Sequence, residues 1–226
     1  AVAAADDGTN TTGITYDAEK KLYVASDTAQ ASRIDQASAS QYIGEKVCSL
    51  ATSIELGDES LQGGESVDAA VDQANALLGA TVTLTLGGTE VTTVDASLIS
   101  QWVSIADDLS VTLDQDAITT WAKGDLSAKT DSLGTARTYT RPDGVQESVV
   151  AGGAYGWSIN GEEAAQDIYD NIMSGSPTTL ELPCYQTAAT YNPGGQDWPT
   201  RFIDVDISDQ HAIFFDSDGS VIWEAD

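Results

Sequence analysis

The run Gly152-Gly153-Ala154-Tyr155-Gly156-Trp157-Ser158-Ile159, continuing into Asn160-Gly161-Glu162-Glu163-Ala164, decides how this chain is read. A glycine-rich segment with Tyr155 and Trp157 at i and i+2 reads as a strand carrying both rings on one face. Asn160 then stands where a helix N-cap belongs, and Glu163, three residues on, completes a capping box. Ala164, Ile168 and Ile172 recur at helical spacing, and Gly175 follows as a stop.

Working outward, hairpins flank this strand–helix unit. Upstream, residues 137–150 alternate around the turn Arg141-Pro142-Asp143-Gly144. Downstream, Thr178 to Tyr185 reads as a strand, and residues 190–200 are rich in Pro and Gly. A new strand opens at Phe202-Ile203-Asp204-Val205-Asp206-Ile207, followed by a hairpin turning at Asp216-Ser217-Asp218-Gly219. Towards the N-terminus, Val82, Leu84 and Leu86 alternate, and Gly87-Gly88 supplies the positive φ that a tight hairpin turn requires. Thr93-Val94-Asp95 leads to Ile99 and Trp102, and Thr112-Leu113-Asp114 leads to Ile118 and Trp121. In each copy the Asp reads as a cap on the first free amides of a short helix with one buried face.

Two longer helices are expected near the start. Asp35 would cap a stripe of Ala39, Tyr42, Ile43, Val47 and Leu50, with Cys48 at its edge. Val67, Val71, Ala74 and Leu78 would form a second stripe, closed by a left-handed Gly79. Residues 14–27 read as a hairpin. Helices mixed with antiparallel hairpins give an α+β fold class. The expected organisation is a linker over 1–13, an α+β region over 14–190 with a sub-boundary near 80, a linker over 191–200, and a further segment over 201–226.

Composition narrows the function. Nine Lys plus Arg against 36 Asp plus Glu give a net charge of -27. Such a chain is a poor partner for nucleic acid or an anionic membrane. No apolar run is long enough to span a bilayer. Ala1 to Thr12 is small and polar and lacks the basic and apolar regions of a signal peptide.

The chemistry-bearing residues are sparse. His211 is the sole histidine, set in a strand pattern with Ile213 and Phe215. Cys48 and Cys184 are the two cysteines, and they either pair or sit apart as small core residues. Neither has the glycine-rich turn that exposes a nucleophile. Asp216-Ser217-Asp218-Gly219 lacks an oxygen ligand at Phe214 for a calcium loop and reads as a solvated turn. No catalytic residue, metal site or cofactor is expected. Tyr155 and Trp157, with Gly153 and Gly156 leaving room at the backbone, are the candidate ligand-binding residues. Their rings suit sugar faces, or else they fill the core between sheet and helix.

Gly153-Ala154-Tyr155-Gly156-Trp157-Ser158-Ile159 resembles the Gly-x-Tyr-Gly-Trp-x-Ile signature of the peptidoglycan-binding domain in Gram-positive L,D-transpeptidases. Thr138-Tyr139-Thr140 and Asp143-Gly144 resemble the preceding hairpin of that family, Glu163, Ala164 and Ile172 its helix, and Pro183 and Tyr185 its exit strand. Residues 202–211 and Asp218-Gly219-Ser220-Val221-Ile222-Trp223 are similar to the opening hairpin of the β-rich catalytic domain. The resemblance implies a secreted or membrane-anchored wall protein, with peptidoglycan, as glycan or stem peptide, for a partner. It implies that 201–226 begin a catalytic domain whose Cys and His motif is absent from this chain. His211 falls on a non-catalytic family position. Rival expectations are a rigid wall-spanning spacer or a salt-adapted surface adhesin.

Overall fold

The computed structural model describes residues 12–26, 36–49, 53–54, 67–149 and 151–226. The expected caps and core positions Asp35 and Leu50, and most of the 1–13 linker, lie outside the described residues. Two compact units emerge, and the chain passes between them several times. One comprises Ala1–Val82, Thr93–Ile118 and Ile168–Thr178. The other comprises Thr83–Thr92, Thr119–Asp167 and Thr179–Asp226.

In the first unit, strands β1 (Ile14–Asp17) and β2 (Leu22–Ala25) pair antiparallel. Helix α1 spans Gln36–Cys48 and helix α2 spans Val67–Leu78. The buried face of α2 is Val67, Ala70, Ala74 and Leu78, so Ala70 takes the place expected of Val71. Asn75 on α2 clamps β2: its amide nitrogen donates to Tyr23 O, and its Oδ1 accepts from Tyr23 N–H. On α1 the expected stripe is only partly covered, with Ala39 buried but Ile43 and Val47 exposed. Gly79 does not adopt the left-handed cap; its N–H bonds back to Asn75 O and Ala76 O as a simple continuation of the helix.

Both Asp caps are present. Asp95 accepts from Ser97 and Leu98 N–H at the start of α3 (Ala96–Ile99). Asp114 accepts from Ala117 N–H at the start of α4 (Gln115–Trp121). Between them, β5 (Val103–Ile105) and β6 (Val111–Leu113) form a hairpin, and Asp114 N–H bonds to Trp102 O. Ile99, Trp102 and Ile118 are buried, whereas Trp121 of the second copy is only half-buried. After α4 the helix continues through a π-helical stretch, Ala122–Leu126, into α5 (Ser127–Thr130).

A three-stranded sheet has the order β10–β3–β4, with β3 at Val82–Leu86, β4 at Thr89–Val94 and β10 at Thr178–Glu181. Gly87 and Gly88 take φ of 59° and 75° at the β3–β4 turn, as that hairpin demands. Thr178 N–H bonds to Thr81 O and Leu182 N–H to Thr85 O, so β10 runs parallel to β3. The fold class is mixed α+β, but this pair departs from a purely hairpin-built architecture. The expected single strand from Thr178 to Tyr185 is two strands, β10 and β11 (Cys184–Gln186), because Pro183 between them cannot donate to a ladder.

The second unit also holds the hairpin β7 (Arg137–Thr140) and β8 (Gln146–Val149) and the short strand β9 (Ser158–Ile159), which pairs with β11. Helix α6 (Gly161–Met173) begins after Asn160, whose Oδ1 accepts from Glu163 N–H. The box differs from the usual reciprocal form. Glu163 accepts from the Asn160 side chain, while Asn160 N–H goes to Pro183 O. The chain closes with a meander in the order β12 (Phe202–Asp206), β13 (His211–Phe215), β14 (Val221–Ala225). No helix among the described residues is long and apolar enough to cross a membrane.

Candidate functional site

The signature segment is not a strand. Only Ser158–Ile159 pair, and Gly152, Gly153 and Gly156 all take positive φ. Tyr155 and Trp157 therefore do not share a face. Trp157 is 6% exposed and Tyr155 is 44% exposed.

The loop is instead moulded onto residues 132–137. Ser132 and Leu133 N–H both bond to Trp157 O, Gly134 N–H bonds to Tyr155 O, and Gly152 N–H bonds to Gly134 O. Ser132 Oγ accepts from Trp157 N–H. A Cβ on Gly156 would lie 2.5 Å from Ser132 O and 2.7 Å from Arg137 Nη2, so only glycine fits there. Gly152 and Gly153, by contrast, have open space where a Cβ would be.

Arg137 is the hub. Its Nε and Nη2 form a two-pronged ion pair with Asp197 at 2.9 and 2.7 Å. Its Nη2 also donates to Ser132 O and Tyr155 O, and its Nη1 to Thr135 O. Both side chains are almost wholly buried, at 4% and 1% exposure. Asp197 O in turn accepts from Tyr155 O–H and from Ala189 and Thr190 N–H. Trp157 Nε1 donates to Thr190 O, and its ring lies against Gly87 and edge-on to Tyr191. Residues 190–200 are thus irregular, as Pro and Gly predict, yet pinned by buried polar contacts.

An open groove of about 520 Å³ borders this knot. Gly152, Gly153, Ala154 and Tyr155 line it together with Phe202 to Val205 of β12. Tyr139 and Trp198 also line it and pack edge to face at 4.8 Å between centroids. Tyr139 O–H donates to Asp204 Oδ2 at 2.8 Å, and Arg141 stands 3.7 Å from the same oxygen. Burial, then the hydrogen bond and charge of Asp204, push the Tyr139 hydroxyl well above its ordinary range. The indole Nε1 of Trp198 is buried without a hydrogen-bond partner.

Of the candidate binding residues, the groove takes Gly153 and Tyr155. Gly156 and Trp157 stand behind it as support. Cys48 and Cys184 are both free thiols. Cys48 is exposed at the end of α1, whereas Cys184 is partly buried with its thiol against Leu182 O. Burial, helped by Glu181 and Asp131, raises the Cys184 thiol, the opposite of what an activated nucleophile needs. His211 lies on β13, where its Nδ1 meets Asp226 Oδ1 at 2.7 Å. Asp216 to Ser220 close a turn whose Asp218 carboxylate accepts from Ser220 N–H and O–H. Among the described residues no group of three metal-ligating side chains comes together.

Arg137, Asp197 and Trp198 escape sequence reading. Arg137 and Asp197 sit 60 positions apart, in a hairpin and a Pro/Gly-rich stretch, with nothing local to announce a buried pair. The one available signal is scarcity: Arg137 is among only nine basic residues.

No known family profile matches the chain, and no curated protein sequence matches it. Solved structures do. The chain is similar to a mutant L,D-transpeptidase of Enterococcus faecium, with 23% identity and a TM-score of 0.51, over 69% of this chain and 59% of that one. It is also similar to the Ldtfm–avibactam carbamoyl enzyme, with 22% identity and a TM-score of 0.52, over 71% and 60% of the two chains. The fold is L,D-transpeptidase-like. The chain spans about 60% of the length of these structures.

Proposed function

We propose that this chain is the wall-facing, non-catalytic region of an L,D-transpeptidase-type protein, which binds peptidoglycan and positions cross-linking chemistry outside the cell. The observation that carries the reading is the groove beside the signature loop, on a fold shared with L,D-transpeptidases. Tyr155 and Gly153 make the contact, and Arg137, Gly156 and Trp157 hold the loop in place.

A second observation supports assigning 201–226 to the start of a larger β-rich domain. On one face of the β12–β14 meander, Ile203 pairs with Phe214 and Phe214 with Trp223, while Val205 pairs with Ala212 and Ala212 with Ala225. Ile203, Val205 and Trp223 are exposed at 55%, 61% and 44%. An apolar sheet face of this kind ordinarily packs on another layer.

The test is co-sedimentation of the purified chain with purified peptidoglycan sacculi, with an unrelated insoluble polysaccharide as control. Selective pelleting with sacculi is expected. A chain that stays in the supernatant, still folded by circular dichroism, removes the binding role and leaves the rigid-spacer reading.

A further inference from the structure

Nine Lys plus Arg face 36 Asp plus Glu in this chain, a net charge of -27. Six of the nine basic side chains are already engaged in ion pairs, and Arg141 alone meets three carboxylates, Asp143, Glu147 and Asp204. A seventh, Lys46, lies over the Tyr42 ring, 5.0 Å from its centroid. The chain's own cations therefore cannot neutralise the surplus. That surplus is also on the outside: among the described residues Asp197 is the only buried carboxylate. Surface charge of one sign opposes the compact state by self-repulsion, and ions from solvent screen it.

Helix α2 shows where the repulsion falls. Asp68 and Asp72 are both exposed and stand one turn apart on the same face, where like charges oppose the helix. Its last turn has no basic residue to meet the negative end of the helix dipole. Two of the four residues on its buried face are alanines, Ala70 and Ala74, so the apolar area that offsets these effects is small. Neighbours one turn apart on a helix lie about 5–6 Å from each other. The Debye length is about 8 Å at physiological ionic strength and about 3 Å at 1 M. Ordinary salt leaves such repulsions largely standing, and only roughly half-molar salt or more removes them. The buried Arg137–Asp197 pair is screened far less, so the same salt spares the knot beside the signature loop.

We infer that this fold takes up solvent cations as it forms, held diffusely along its carboxylate surface, and reaches full stability only well above physiological ionic strength. Helix α2 is the element that loosens first as salt is withdrawn. Both statements hold whatever ligand the chain binds.

The test is thermal unfolding of the full chain, followed by circular dichroism at neutral pH, in NaCl and separately in KCl from ~0.01 to ~1 M. The melting temperature should keep rising between ~0.15 and ~1 M, by at least about 5 °C, and the two salts should act alike. Amide hydrogen exchange across 67–78 should quicken at low salt more than exchange at Ser132 and Trp157. Asp72→Lys places a cation one turn after Asp68, the favoured order for an opposite-charge pair. It should melt above wild type at ~0.01 M salt, and the gap should close by ~1 M. Salting-out of apolar groups would instead lift both proteins equally. A wild-type melting temperature that is flat or falling above ~0.15 M overturns the inference. So does a rise with a constant gap between the two proteins, which removes charge as its cause. A requirement for one of the two cations overturns diffuse uptake in favour of a specific site.

Discussion

Arg137 and Asp197 form a buried, two-pronged ion pair, Nε to Oδ1 at 2.9 Å and Nη2 to Oδ2 at 2.7 Å, that ties the β7 strand to the irregular segment before β12. The same guanidinium holds the carbonyls of Ser132, Thr135 and Tyr155. The signature loop is therefore shaped by a charge that sequence places in an unremarkable hairpin.

Removing one partner leaves the other charged and buried. Asp197→Ala should destabilise the protein by about 3–5 kcal/mol in chemical denaturation. Replacing both, as Arg137→Met with Asp197→Leu, restores charge balance but removes the guanidinium's bonds to three carbonyls, of which Ser132 O keeps Thr135 and Tyr155 O keeps Gly134 as donors. The double variant should stay about 1 kcal/mol below wild type. Full recovery would mean the carbonyl contacts contribute nothing.

The glycines of the loop should not be equivalent. Gly156→Ala drives a Cβ into Ser132 O at a φ of 134° and should cost more than ~2 kcal/mol. Gly153→Ala, at a φ of 75° in open space, should cost only about 1–2 kcal/mol. Thermal unfolding of the two variants checks the order.

Acid stability should depend in part on Asp95. Burial raises its carboxyl, but the Lys21 ammonium and the N–H groups of Leu98 and Ser97 outweigh it, and the net shift is downward. A carboxyl lowered in the folded state adds stability above its unfolded value, near 3.9, that is lost as pH falls through the lower folded value. Asp95→Asn keeps a capping oxygen but not the charge. Its melting temperature should lie slightly below wild type at neutral pH and converge with it in acid. Asp95→Ala should also lose the cap, about 1 kcal/mol.

Tyr23 should govern the alkaline limb. Burial, and then the neighbouring Tyr16, push its hydroxyl up to about 12, and it donates to Ser100 O and Val103 O. Its stabilising contribution is complete below pH ~10 and is lost as pH rises towards the folded value. Tyr23→Phe should be less stable than wild type at neutral pH, with the gap narrowing between pH 10 and 12. A gap that stays constant would show that the hydroxyl does not titrate with unfolding.

Much of the fold was legible because its signals are local. The Asp95 and Asp114 caps, the Gly87-Gly88 turn, the Asn160 cap and the Ala164–Ile168–Ile172 stripe each follow from residues within one or two turns of one another. The site was less legible because its determinants are distant. Glycines at 152, 153 and 156 look like strand residues in a period-two pattern, but their positive φ values make a loop. That loop sends Trp157 inward and leaves Tyr155 at the groove. What selects the loop is Arg137 and Ser132, which no spacing rule connects to it. The parallel β3–β10 pair was missed for the same reason, since its strands lie almost a hundred residues apart in the chain.

In the proposed function, Tyr155 meets the cell wall from a loop that Arg137 holds in place. A saturation isotherm of wild type and Tyr155→Ala on purified sacculi tests it directly, with melting temperatures measured alongside. Saturable wild-type binding, weakened about tenfold in a variant that is still fully folded at the assay temperature, is the predicted result. Equal binding by both proteins, or none by either, would contradict it.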